Sequence, residues 1–232
     1  MSAPFYVSPE QLMKDRAEFA RKGIARGRSV VVLRYTDGIL MLAENPSSTL
    51  HKLAEIYDRI GFAAVGKYNE FETLRQAGVR YADLRGYSYD RADVTARGLT
   101  NAYAQTLAGV FTTESKPYEV ELVVAEVGRT AEEDRLFRLS YDGSVVDEID
   151  HVAIGGQAEA VGARLAALTT ADKELGTVLR LAVEALSASS AGDAPLPVEH
   201  LEAAVLDRTS ASHRTFRRLT DPEVTALLEK DQ

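Results

Sequence analysis

Apolar residues return at Met13, Ala17, Ala20 and Ile24, alternating spacings of four and three, and that rhythm lays them along one face of a helix over residues 8–27. Ser8 marks its start as N-cap, with Pro9 at the first helical position, Gln11 where a capping box has its second member, and Val7 and Leu12 at the staple positions. Gly27 marks its end. A β-branched run from Ser29 to Tyr35 then meets a return run from Ile39 to Ala43 across Thr36-Asp37-Gly38, the signature of a hairpin. Both arms are almost wholly apolar, so the hairpin is expected inside a sheet core rather than at a surface.

Asn45-Pro46-Ser47-Ser48 is a turn cluster, and the short segment from Leu50 to Tyr57 presents Lys52 between two leucines. Ile60 to Val65 reads as a buried strand. Asn69 and Glu72 in capping-box spacing open a helix expected to reach about Leu84, and Leu99, Tyr103, Leu107 and Val110 mark a second. Between them, Tyr87 to Asp93 reads as an exposed connector, or else as a contact with a neighbouring chain. A strand over Val120 to Val127 and a second hairpin around Asp142-Gly143 follow, then a strand from His151 ending in Gly155-Gly156, where tight packing rather than a phosphate explains the glycines. Two further helices lead to a low-complexity loop, Ser187 to Pro197. Strands at Leu201 to Asp207 and Thr215 to Leu219 and a helix capped by Asp221-Pro222 close the chain. The grouping predicts an α+β fold in which helices cover two stacked antiparallel sheets. One domain is expected over 8–232, after a flexible tail at 1–7.

Composition narrows the function. The formal charge of −8 argues against a general nucleic-acid or anionic-membrane partner. With no cysteine, disulfides and thiolate metal sites are excluded, which suits a reducing cytoplasm. No apolar run is long enough for a secretion signal or a span, so the expected location is cytoplasmic. His51, His151, His200 and His213 are scattered, Gly-x-Ser-x-Gly is absent, and no metal or other cofactor is expected.

Glu18-Phe19-Ala20-Arg21 leading to Gly27, the Ser29 strand, the Asp37-Gly38 turn, Glu44, His51-Lys52-Leu53, the Ile60 to Gly66 strand and Lys116-Pro117-Tyr118-Glu119-Val120 together resemble the proteasome α-subunits, in their order and spacing. The likeness runs over roughly residues 8 to 230 and points to the actinobacterial 20S type. It implies the four-layer α-β-β-α sandwich of the N-terminal-nucleophile hydrolases. It also implies a non-catalytic subunit that forms seven-membered outer rings with copies of itself, stacks on β-subunits, gates the entry of tagged protein substrates and receives the C-terminal tails of a ring-shaped ATPase activator. By the same resemblance Lys52, with Gly27 and Glu18, lines the activator pocket, and Phe5, Tyr6 and Val7 belong to the gate. The Tyr-Asp-Arg signature that archaeal and eukaryotic α-subunits carry in that tail is absent.

Catalysis in this fold, as the resemblance implies, uses an N-terminal threonine whose own amine, of ordinary pKa about 7.7 to 8.0, serves as base. Here the position where a catalytic β-subunit begins falls at Arg28, followed by Ser29, both internal, so the nitrogen is an amide. No catalytic residue is therefore expected, although Glu44 and Lys52 occupy the places of the catalytic acid and lysine. The competing reading is a self-processing hydrolase or β-type subunit that exposes Ser29, which would discard the capped first helix; a third is an unrelated monomeric binding domain. That first helix, whose apolar stripe has no earlier partner in the chain, is expected to form a contact between rings.

Overall fold

The structure is a computed structural model and describes residues 8–188 and 196–229. The expected gate residues Phe5, Tyr6 and Val7, and most of the low-complexity loop, lie outside the described residues. Helix α1 (Pro9–Ile24) leads into the hairpin β1 (Val30–Tyr35) and β2 (Gly38–Glu44), followed by β3 (Leu53–Tyr57) and β4 (Ile60–Gly66). Helices α2 (Tyr68–Ser88) and α3 (Ala96–Thr113) precede β5 (Val120–Glu126), β6 (Arg135–Leu139), β7 (Val145–Glu148) and β8 (His151–Ile154). Helices α4 (Ala158–Ala166) and α5 (Leu175–Ser187), strands β9 (Leu201–Asp207) and β10 (Phe216–Leu219), and α6 (Asp221–Glu229) complete the chain.

The strands form two five-stranded antiparallel sheets, ordered β10-β9-β2-β1-β8 and β3-β4-β5-β6-β7. Because side chains alternate along a strand, β1 and β2 feed two cores at once. Val30, Val32, Ile39 and Met41 point between the sheets, while Val31, Leu33, Leu40 and Leu42 meet α4 and α5. A third cluster sits between the other sheet and α2 and α3, around Phe62, Leu99, Tyr103 and Leu107. Each such side chain, fully removed from water, contributes about 1.5–3 kcal/mol, which is why the apolar hairpin is the centre of the fold. The expected α-β-β-α sandwich is present.

Four details differ from the sequence reading. Helix α1 ends at Ile24, three residues short, and a further turn carries it to Gly27, whose N–H donates to Ile24 O (2.8 Å). Its stripe is covered by this chain itself: Ala17, Ala20 and Ile24 pack with Phe111 and Tyr141, so the physical reason for a ring-to-ring contact through that stripe is gone. At the start of α2 the Asn69 and Glu72 capping box does not form, because Gly66 turns sharply (φ +119°) at the end of β4 and the helix is already under way at Tyr68. Glu72 instead holds Arg75, and α2 continues past Leu84 to Ser88.

Candidate functional site

The site residues are positioned by the corner where α1 hands over to β1. The Ser8 hydroxyl accepts the Gln11 N–H (3.2 Å), anchoring the far end of α1, whereas the Gln11 side chain turns to Asp15, so only half of the capping box is made. At the near end Gly27 is obligatory: a Cβ there would lie 2.3 Å from the Val65 side chain. The Gly27 carbonyl accepts the Gly156 N–H (3.0 Å). Gly155 takes a left-handed conformation (φ +105°), its ideal Cβ only 3.1 Å from the Ser29 Cα. The Gly155-Gly156 pair thus exists to let the α4 entrance close on this corner, and its amides are occupied by Glu121 and Gly27.

Around that corner a compact charged cluster forms. Lys52 Nζ donates to Arg28 O (2.7 Å) and Glu44 O (3.0 Å), and the Arg28 guanidinium pairs with the Glu44 carboxylate. Burial pushes the Lys52 ammonium down to about 8 from the usual 10.5, against the opposing pull of Glu44 and Glu202 and with Arg28 adding to the lowering. An ammonium has three donors; two are spent on carbonyls, and the third has no partner among the described residues. Ser29 is buried, its hydroxyl accepting the Gln157 N–H (3.3 Å) and its carbonyl accepting the Glu44 N–H (3.1 Å). Its own nitrogen is an amide in continuous chain, which carries no basic lone pair.

Of the residues singled out from sequence, Lys52 and Gly27 come together, since Lys52 bonds the residue following Gly27. Glu18 does not join them: it faces solvent on α1, paired with Lys22 (2.7 Å), and that pairing holds its carboxyl below the usual range. Beneath α1 a cavity of about 430 Å³ is lined by Arg21, Ile24, Glu121, Tyr141 and Gly155 rather than by Lys52. Sequence reasoning missed Arg28 as the partner of both Glu44 and Lys52. It also missed Glu202, which accepts the N–H groups of Lys52 (2.8 Å) and Leu53 (3.2 Å) and the Asn45 amide (2.8 Å), so it fixes the loop that presents Lys52. The one local signal for Glu202 is a charge inside the apolar run Leu201 to Leu206. His51 is at the surface, its Nδ1 3.3 Å from that same carboxylate.

Ser29, without a free amine, thus lies at the corner where Lys52, Arg28 and Glu44 meet. A family profile described as proteasome subunit matches residues 24–202. The chain belongs to the proteasome subunit family. Proteins named proteasome subunit alpha are similar to it over at least nine-tenths of their length. That of Kineococcus radiotolerans is 65% identical, over 98% of this chain and 98% of the relative. Those of Sanguibacter keddieii (64%, over 98% and 90%) and Streptomyces scabiei (60%, over 100% and 94%) are comparable. Identity at this level places the chain with the non-catalytic α-subunits of the 20S proteasome, of actinobacterial type.

Proposed function

We propose that this proteasome subunit forms seven-membered outer rings that cap β-rings, and that it controls access to threonine-type proteolysis carried out by the β-subunits. In this reading Phe5, Tyr6 and Val7 gate the ring axis. Lys52, with the backbone at Gly27 and with Glu18 nearby across a subunit boundary, receives the terminal carboxylate of a ring-shaped ATPase activator. The domain over 8–232 acts as one unit, in the cytoplasm, on proteins tagged by a small disordered modifier. No helix among the described residues is long and apolar enough to cross a membrane.

The observation that carries the proposal is the remaining donor of Lys52. An inward-held ammonium with two carbonyl partners is fixed in place, and a carboxylate at its third proton gains a charge-assisted hydrogen bond without first ordering a long side chain. The lack of a free amine at Ser29 supports assigning hydrolysis to another chain. A self-processing hydrolase would have to release α1, whose Ala20 and Ile24 are buried against Tyr141.

The test is reconstitution with an actinobacterial β-subunit. Four-ring particles by electron microscopy, an intact mass of about 25 kDa for this chain, and degradation that an ATPase activator stimulates are the expected results. Peptide hydrolysis by the β-free chain, or a mature species beginning at Ser29, would overturn the reading.

A further inference from the structure

Glu202 is the one charge inside the apolar run Leu201 to Leu206, and its side chain is only 10% exposed. An acid withdrawn from water to that degree is costly unless its acceptor capacity is filled. Here it is filled. Oε2 accepts the Lys52 N–H and the Asn45 side-chain amide, each at 2.8 Å, while Oε1 accepts the Leu53 N–H (3.2 Å) and a guanidinium N–H of Arg218 (2.6 Å). His51 Nδ1 approaches Oε1 as well.

These partners converge on the segment that delivers Lys52. Asn45, just past β2, closes that segment from its other end, since the same side-chain amide donates to Leu50 O (2.8 Å). Arg218, on the neighbouring strand β10, donates to Leu53 O. One ion pair from two adjoining strands therefore grips the Lys52–Leu53 backbone by both polarities, Glu202 taking the N–H groups and Arg218 the carbonyl. A carboxylate offers acceptors alone. A glutamine at this position would turn its NH2 against two of the incoming donors.

Glu202 also acts on the far end of Lys52. Burial drives that ammonium down to about 8; Glu44 and Glu202 oppose the fall, and Arg28 adds to it. Glu44, at the end of β2, is itself engaged by Arg28, ahead of β1, while Arg218 on β10 and His51 face Glu202.

We infer that Glu202 is a positioning residue for activator docking: it fixes the backbone from which Lys52 reaches the Arg28 and Glu44 carbonyls, and its negative charge favours the ammonium that an incoming carboxylate needs. Glu202 does not itself touch the ligand. The inference rests on the Lys52 pocket proposed above and adds the group that controls it.

The experiment assembles the full chain with an actinobacterial β-subunit and titrates the particle, from pH 7 to 10, with a labelled peptide carrying the C-terminal residues of a ring-shaped ATPase. Binding is read by fluorescence anisotropy, the same peptide amidated at its C-terminus is the control, and electron microscopy checks that each variant forms particles. The free-acid peptide is expected to bind the wild-type particle and to lose affinity as pH rises through about 8. Glu202→Gln should raise the half-saturating concentration roughly tenfold at pH 7, the scale of one misplaced charge-assisted hydrogen bond. It should also move the alkaline loss of affinity down by about half a pH unit or more, because an opposing charge has gone. Asn45→Ala loosens the same loop but leaves the Glu202 charge, so binding should weaken with the alkaline loss still near pH 8. If Glu202→Gln forms no particles, Glu202→Asp replaces it: the charge stays, the carboxylate is drawn back from both amides, and binding should weaken with the alkaline loss unmoved. Glu202→Gln particles that bind like wild type overturn the inference. So does weaker binding whose alkaline loss coincides with that of wild type, since a scaffold role alone gives that result, and so does wild-type affinity in Glu202→Asp. A wild-type particle that binds the acid and the amide alike overturns the Lys52 pocket and this inference with it.

Discussion

The central hairpin carries a charged cluster at each end, and the two are finished differently. At the turn end Asp134, whose carboxylate is 0% exposed, accepts two bonds from Arg208 (2.7 and 2.6 Å) and one from the Gly128 N–H (2.8 Å), with Arg34 alongside. At the other end Lys52, Arg28 and Glu44 use the same kinds of group, yet Arg28 is 49% exposed and Lys52 keeps a donor in hand. Both clusters set charged groups against carbonyls and carboxylates, but only the second keeps a hydrogen-bond donor without a partner among the described residues. A buried ion pair by itself is weak evidence for function; unspent hydrogen-bonding capacity at an accessible corner is the better mark.

The contrast predicts opposite outcomes for substitutions at the two ends. Asp134→Ala leaves two mostly buried arginines without their shared acceptor and should cost about 3–5 kcal/mol, read as a lower urea midpoint; a loss under 1 kcal/mol would mean the cluster is not closed. Lys52→Ala removes a ligand contact worth about 1.5–3 kcal/mol and should cut activator-stimulated degradation at least tenfold. Basal peptide hydrolysis by the assembled particle should persist, and unchanged stimulation would refute the pocket. Gly27→Val drives a side chain into Val65 and should destabilise by about 1–3 kcal/mol through overpacking, seen in thermal melts.

Proton linkage separates stability from docking at Lys52. Its folded pKa of about 8 lies below the ordinary 10.5, so between those values the unfolded chain retains a proton the folded chain has released. Stability from this group is therefore absent below about pH 8, rises through the window and is complete above about 10.5. Docking of a carboxylate needs the ammonium and should weaken as pH rises through about 8. Chemical denaturation and activator titration over pH 7 to 10 should thus move in opposite directions, and parallel movement would remove Lys52 from the docking reaction. The smallest effect is expected at Glu18, exposed and paired along its own helix with Lys22: Glu18→Gln should leave the urea midpoint unchanged. Its effect on activation should be smaller than that of Lys52→Ala.

Most of the fold was legible because its signals are local. The Asp37-Gly38 and Asp142-Gly143 turns, the β-branched arms and the stripe of α3 each fit within about twenty residues, and they read correctly. The α2 capping box misread for an equally physical reason. Glu70, a position away from the motif, is drawn off by Lys116 (2.6 Å) and the Glu119 N–H (2.7 Å), and Gly66 had already set the helix start. For the site, Lys52 and Gly27 stood out only through the family resemblance. Nothing local distinguishes Lys52 from a solvated lysine.

The sequence by itself determined the alternation of strand groups and helix pairs, the burial of the Ser29 hairpin, and the denial of a free amine to Ser29, since all of these follow from short-range periodicity and chain continuity. Only the tertiary structure decided that the stripe of α1 is covered by Phe111 and Tyr141, that Glu202 fixes the loop bearing Lys52, and that Asp134 is closed while Lys52 is not. Those outcomes depend on groups up to some 150 residues apart, brought into register by hydrophobic burial that is indifferent to which charges it carries along.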